Sequence, residues 1–328
     1  MLSPIFDPTF ADDSYGFRPG RNAHDAIRRA REHIASGYRW VIDLDLDSFF
    51  DRVHHDVLMA RVARRVKDKR VLRLIRRYLQ AGIMLNGIVT PRVAGMSQGG
   101  PLSPLLSNVL LDELDKELER RGHRWVRYAD DLNVYVRTAR AGHRVMSSLE
   151  QFLTKRLRLR VNKEKSAVAR PWTRKFLGYS FTSSRKGKPK VAQESARRLR
   201  AKLRSIFRRG RGHRLDHVIQ EINLVTSGWV AYFKLAQVKG TFEELDVWIR
   251  RKLRWLVWRH WKKPRTRFKR LQALGVNRAK AARAAWGRDG PWASAAGTAI
   301  NVAIPNNVLH YRGLMSLAER HRRLACSS

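Results

Sequence analysis

Asp43, Asp45 and Asp47 alternate with Leu44 and Leu46, and Asp130 and Asp131 stand as a pair between two apolar runs, Trp125-Val126 and Leu132 through Val136. Every second side chain of an extended segment shares a face, so the first three acids would line one side of a strand. The second pair would sit at the turn of a β-hairpin. Carboxylates that converge from two strands repel one another unless a cation neutralises them, and hard oxygen donors suit Mg²⁺. Two such ions about 3.5–4 Å apart activate an attacking hydroxyl and stabilise a departing phosphate oxygen, which is the chemistry of phosphoryl transfer. The other use for such acids is ion pairing with neighbouring arginines, and for Asp43 and Asp47 the residue types leave both uses open.

The elements that must position these acids follow from periodicity. Asn22 reads as the N-cap of a helix over 23–35, and the apolar alternation over 39–45 reads as a strand. Helices are expected over 56–66 and 68–81, then a hairpin over 82–93 around Asn86-Gly87, a dipeptide that accepts positive φ at low cost. A Gly/Ser/Pro loop enters a long helix over 104–120. A hairpin over 123–136 carries the acid pair, an amphipathic helix covers 141–157, and a second hairpin spans 175–191 with a basic tip at 183–188. Helices and strands interleaved in this way argue for an α+β fold. Beyond residue 192 the pattern becomes long and helical, over 196–208, 215–235 and 242–261. Trp248 and Trp255, with Leu245, Ile249, Leu253 and Leu256 at neighbouring helical positions, are expected in the core of a helix bundle.

The charge says what such a fold would meet. The 328 residues hold 68 Lys/Arg against 28 Asp/Glu, a formal net charge of +40, while 43% hydrophobic residues and ten tryptophans are enough to build real cores. A folded polycation of this size calls for a polyanionic partner, and nucleic acid is the usual one. Between residues 195 and 288, 26 Lys/Arg face 5 Asp/Glu, so the helical part carries much of the excess. No apolar run approaches the ~20 residues of a membrane span, and no signal-peptide core is found. A soluble chain in the reducing bacterial cytoplasm, with no membrane partner, is therefore expected. Cys326 is the only cysteine, which excludes an internal disulfide and a paired-cysteine zinc site.

The segments around the acids resemble one family. Asp45-Leu46-Asp47-Ser48-Phe49-Phe50-Asp51 resembles the first catalytic motif of reverse transcriptases, and Tyr128-Ala129-Asp130-Asp131 resembles the second, as found in group II intron-encoded reverse transcriptase/maturases. The stretch from Ser14 to His24, with Tyr15-Gly16-Phe17-Arg18-Pro19-Gly20-Arg21 at its heart, resembles the block before the palm. Gly95-Met96-Ser97-Gln98-Gly99-Gly100-Pro101-Leu102-Ser103-Pro104 resembles the template-positioning block. Leu159 to Ser166 and Phe176-Leu177-Gly178-Tyr179 resemble the last two palm blocks. Six blocks in the family's order between residues 14 and 179 are far more specific than the acid pair alone. Past the palm, Asn223 to Phe233 and Trp248 to Leu253 resemble the helical maturase, or thumb, region.

The resemblance implies a right-hand polymerase palm with partial fingers over 1–192, an all-α thumb/maturase domain over 193–263 and a basic extension over 264–328. It implies that Asp45, Asp130 and Asp131 hold two Mg²⁺ ions, and that Lys165 protonates the departing pyrophosphate. Phe50 would lie under the sugar of the incoming dNTP and exclude a 2′-hydroxyl, while Gln98 and Gly99 would let the chain approach template and nascent pair. Arg18, Arg21, Arg250, Arg251 and Arg254 would contact nucleic acid. The implied function is an RNA-directed DNA polymerase that extends a DNA primer on an RNA template and also binds its group II intron RNA to assist splicing and retrohoming. The family's N-terminal fingers precede the first block found here, which makes a catalytically incomplete RNA-binding splicing factor the alternative. The family's optional DNA endonuclease is not expected, and a homodimer is left open.

Overall fold

The computed structural model describes residues 2–81, 83–85, 88–90 and 93–326. The chain divides into two compact units, Met1–Pro189 and Lys190–Ser328. In the first, the helix Ala23–Ala35 opens as expected: the Asn22 side chain accepts from the backbone N–H groups of His24 and Asp25, a cap of about 1 kcal/mol. The strand expected over 39–45 forms as β1 (Trp40–Leu44), one residue short of Asp45. Helices His55–Val62 and Lys69–Gln80 follow, the second capped by Asp68. Strands β2 (Ile83–Leu85) and β3 (Ile88–Thr90) pair antiparallel with Met84 opposite Val89, and the expected turn residues Asn86 and Gly87 lie outside the described residues.

The helix Ser103–Arg120 leads into β4 (Arg124–Tyr128) and β5 (Asp131–Val136), and β6 (Ala167–Ala169) completes an antiparallel sheet in the order β4-β5-β1-β6. One hydrophobic cluster joins Ile42 and Leu44 of β1, Trp125 of β4 and Leu132 and Val134 of β5 to Leu106, Leu110 and Leu114 of the long helix. Val145 and Leu149 of the helix Ala139–Phe152 belong to it too. Each such side chain contributes roughly 1.5–3 kcal/mol relative to exposure, so the sheet centre is held rigidly. The segment before the first long helix runs beside β4: Tyr15 N–H donates to Arg127 O (2.9 Å) and Arg127 N–H to Asp13 O (3.0 Å). Further on, Thr182 N–H donates to Lys188 O at 2.9 Å and closes the basic tip as a turn.

The second unit is helical. Gln193–Arg209, Leu215–Tyr232 and Gly240–His260 are its long helices, followed among the described residues by six shorter ones ending in Leu317–Cys326. Leu245, Ile249, Leu253 and Leu256 are buried as expected, whereas Trp248 and Trp255 are only half-buried, and Trp258 is the tryptophan that enters the core. That corrects the expected core role of the first two: the apolar stripe of this helix is narrow enough to be filled by the aliphatic positions, which leaves the indoles at its edge. Asp246 is buried because its carboxylate accepts from Leu317 N–H (2.9 Å), Ala318 N–H (3.1 Å) and the Ser316 hydroxyl (2.7 Å), capping the final helix.

Candidate active site

Asp45 follows the last residue of β1 and is fixed through its backbone. Its N–H donates to Ser166 Oγ (2.9 Å), and its carbonyl accepts from Asn162 N–H (2.9 Å). Asn162 Oδ1 in turn accepts from Glu164 N–H and Lys165 N–H. The loop over 160–166 is thus folded against the end of β1, and it delivers the Lys165 ammonium to 3.6 Å from Asp45 Oδ2. The neighbouring acids turn to arginines: Asp43 accepts from Arg174 Nε at 2.7 Å, and Asp47 pairs with Arg52 at 2.9 Å. Of the three alternating aspartates, Asp45 alone has no arginine paired to it among the described residues.

Asp130 and Asp131 lie where β4 turns into β5, with Tyr128 and Asp131 as the last paired residues. The turn is tight: Ala129 takes a φ of 58°, a left-handed value that costs an alanine roughly 1–2 kcal/mol. A buried guanidinium holds it there. Arg127 Nη1 donates to Ala129 O (2.8 Å) and Asn108 Oδ1 (2.9 Å), Nη2 to Ser14 Oγ (2.7 Å), and Nε to Asp115 Oδ1 (2.7 Å). Gly16 packs from outside: a Cβ there would lie 2.2 Å from Ala129 N, and its carbonyl accepts from Asn108 Nδ2 at 2.8 Å. Arg127, Asp115 and Asn108 were not singled out by sequence reasoning. The available signal was polarity at the apolar positions of a buried helix and strand, because a charge survives there only when paired.

Register brings β1 and β5 side by side, Asp43 opposite Asn133 and Leu44 opposite Leu132, so the end of β1 meets the start of β5. Asp131 reaches solvent, yet crowding by protein atoms, followed by the charges of Asp130, Asp43 and Asp45, pushes its carboxyl up to about 6 against the opposing pull of Lys175. Burial likewise holds Asp43 above the usual carboxylate range despite Arg174. As the side chains lie, no three Asp, Glu, His or Cys residues among the described residues form a ligating group. The donor chemistry nonetheless fits a divalent cation: carboxylate oxygens gathered in excess of local cations, with a lysine ammonium already drawn to Asp45.

Phe50 is half-buried, its ring edge-on to Phe49 with centroids 5.2 Å apart. Its carbonyl accepts from Met96 N–H at 2.7 Å, and Gly95 N–H donates to Val53 O at 2.8 Å. The segment carrying Gln98 and Gly99 is thereby tied to the one carrying Phe50. Gln98 and Gly99 are exposed. Nothing stands within 4 Å of a Cβ at Gly99, so its glycine serves a φ of +82°; the glycine required by close approach is Gly95, where a Cβ would meet Asp51 O at 2.7 Å.

The expected nucleic-acid arginines separate into three kinds. Arg18 is 9% exposed and spends its donors on Asp7 Oδ1 (2.8 Å), Ala11 O (2.6 Å), Ser14 O and Asp7 O. Arg254 is 7% exposed and donates to Ile304 O (2.9 Å) and Asn306 Oδ1 (2.8 Å). Both expectations are corrected: these guanidiniums tie loops to helices from inside and offer no free face to a phosphate. Arg21 pairs with the exposed carboxylate of Asp12 (2.8 Å), and Arg251 donates to Trp292 O (2.9 Å). Arg250 is half-exposed and forms no ion pair among the described residues.

Comparison with known proteins gives a match to the reverse transcriptase (RNA-dependent DNA polymerase) family over residues 1–181 and to the maturase-specific domain of group II introns over residues 196–275. Protein YkfC of Escherichia coli is 42% identical over 124 residues, covering 37% of this chain and 32% of that protein. The group II intron-encoded protein LtrA of Lactococcus lactis is 38% identical over 116 residues, covering 35% of this chain and 19% of that protein. The match thus spans about a third and a fifth of these relatives' lengths. Among solved structures, telomerase from Candida albicans superposes with a TM-score of 0.46 and 13% identity, over 77% of this chain and 49% of that one.

Proposed function

Because the chain belongs to the reverse transcriptase (RNA-dependent DNA polymerase) family and carries a group II intron maturase-specific domain, we propose that it copies intron RNA into DNA from a DNA primer and binds that RNA to assist splicing and retrohoming. The observation that carries the reading is the meeting of Asp45 with the 128–131 turn, each held by its own buried or backbone hydrogen bonds. In this reading residues 1–192 are palm and partial fingers, 193–263 the thumb/maturase domain and 264–328 its basic extension.

Asp45, Asp130 and Asp131 would hold two Mg²⁺ ions, which when bound supply activation of the primer hydroxyl and neutralisation of the triphosphate. The chain's own residues do the positioning. Arg127 and Gly16 keep the acid turn in one conformation, and Ser166 and Asn162 keep Asp45 beside it. Lys165, drawn to Asp45, would give a proton to the departing pyrophosphate, an effect of typically ~10²–10⁴-fold. Phe50 would pack beneath the dNTP sugar, and Gln98 and Gly99 would face the template.

The test is primer extension on an RNA template with dNTPs and Mg²⁺, comparing the chain with its Asp130→Asn/Asp131→Asn variant. Extension is expected to fall by roughly 10³-fold or more while RNA binding is kept, since charge neutralisation supplies most of this catalysis. Equal extension by both would remove these acids from the reaction. RNA binding without extension by either would favour the splicing factor that does not polymerise.

A further inference from the structure

One face of the helix Gly240–His260 carries Trp248, Lys252, Trp255 and Arg259, one per turn, beside the buried stripe of Leu245, Ile249 and Leu253. The Lys252 ammonium lies 4.6 Å from the Trp255 ring and 4.7 Å from the Trp292 ring, between the two indoles. The guanidinium of Arg251 lies 4.0 Å from the Trp292 ring and donates to Trp292 O at 2.9 and 3.3 Å. Those of Arg211 and Arg259 lie 5.5 and 5.4 Å from the Trp255 ring. No Asp or Glu among the described residues comes within ion-pair distance of Lys252, Arg211, Arg251 or Arg259. Burial, with the charges of Arg204, Arg211 and Arg251, lowers the Lys252 pKa, as befits an ammonium among cations without a counter-ion.

Cations that repel one another, yet are gathered and held by rings, form a site that lacks its anion. We propose that this face binds consecutive phosphates of an RNA strand, and that Trp255 and Trp292 act as scaffolds that fix the cations instead of stacking on bases. The inference rests on the RNA-binding part of the function proposed above and adds where the strand is held and by what device. A phosphodiester run supplies the closely spaced negative charges that Lys252, Arg211 and Arg259 can share along the helix. An indole face attracts a cation without neutralising it, so the ammonium is oriented while its charge stays available to a ligand. RNA is favoured over an acidic peptide because phosphates repeat along the strand at short, regular intervals, and Lys252 and Arg259 stand two turns apart on one face with Arg211 beside the Trp255 ring between them.

The experiment is fluorescence anisotropy of the full chain with a fluorescein-labelled oligouridylate between about 50 and 200 mM salt, a range over which binding through several phosphates falls by orders of magnitude. Lys252→Gln should weaken binding and reduce the salt slope by about 0.7, the step for one single-strand phosphate contact. Trp255→Leu, which keeps every cation, should weaken binding roughly 2- to 5-fold and reduce the slope as well, whereas Trp255→Phe should retain most of both. Affinity lost in Trp255→Leu with the slope unchanged would make the indole a base-stacking platform and overturn the scaffold role. Should Trp255→Leu not fold, the exposed Arg211→Gln and Arg259→Gln carry the test, since each must lower the slope by a similar step. A wild-type chain that binds steeply, with the slope intact in Lys252→Gln and both arginine variants, would sink this site alone. A wild-type chain with no salt-dependent RNA binding would sink the RNA-binding reading with it.

Discussion

Around the 128–131 turn a buried guanidinium is met by a carboxylate, whereas on the Gly240–His260 helix ammonium and guanidinium groups are met by indole rings. Arg127 and Asp115 are 1% and 0% exposed, so each would be intolerable alone; together, with Asn108, Ser14 and Ala129 O, they convert charge into fixed geometry. Lys252 and its neighbours keep contact with water, so they need no carboxylate, and a ring can orient them without cancelling them. The difference teaches how one strongly basic chain can use the same residue types for two ends. Pairing consumes charge to build a site, and cation–π packing preserves charge for a ligand.

The largest effect that would break this contrast is on the buried pair. Asp115→Asn leaves Arg127 buried without its partner and is expected to cost about 3–5 kcal/mol in urea unfolding of the full chain. The double variant Asp115→Leu/Arg127→Met should recover much of that stability yet not primer extension, because Ala129 O loses its donor; recovery of both would mean that the pair does not set the turn. Next, Arg18→Gln should lose about 3 kcal/mol with the RNA salt slope unchanged. Arg250→Gln should do the reverse, reducing the slope by about 0.7 with stability held within about 0.5 kcal/mol. If both variants moved the same observable, the division into structural and ligand-facing arginines would fail. Gly16→Ala should cost about 1–3 kcal/mol by thermal melting, since the obstacle is the backbone of Ala129 and cannot swing aside. The smallest effect is expected from Ser166→Ala, about 1 kcal/mol for the hydrogen bond to Asp45 N–H, together with slower extension and unaltered RNA affinity.

Much of the palm could be read in advance because its signals are local. The Asn22 cap, the apolar alternation before Asp45 and the two short runs flanking Asp130-Asp131 each specify their own backbone within a few residues. The arginines could not be sorted that way. Arg18 and Arg250 look alike in a chain with 68 basic residues, and what separates them is whether carbonyls and a carboxylate from elsewhere converge on the head group. Trp248 and Trp255 misled for a related reason: helical spacing places them next to the core stripe, and only the packing of the aliphatic positions decides that they stop at its edge.

The sequence by itself determined the donor set, the alternation that lays acids along a strand, the paired acids of a tight turn and the concentration of cations in the helical part. These are properties of residue type and period, which a short stretch of chain already possesses. Only the tertiary structure decided that Asp43 and Asp47 answer to Arg174 and Arg52 while Asp45 is left to Lys165. It alone decided that Arg127 reaches Ser14 across 113 residues to hold the turn, and that Lys252 lies between two indoles. The strength and meaning of a charge depend on what surrounds it, on the partners within hydrogen-bond reach and on how much water is excluded. Those surroundings are assembled from segments far apart in the chain and exist only once it has folded.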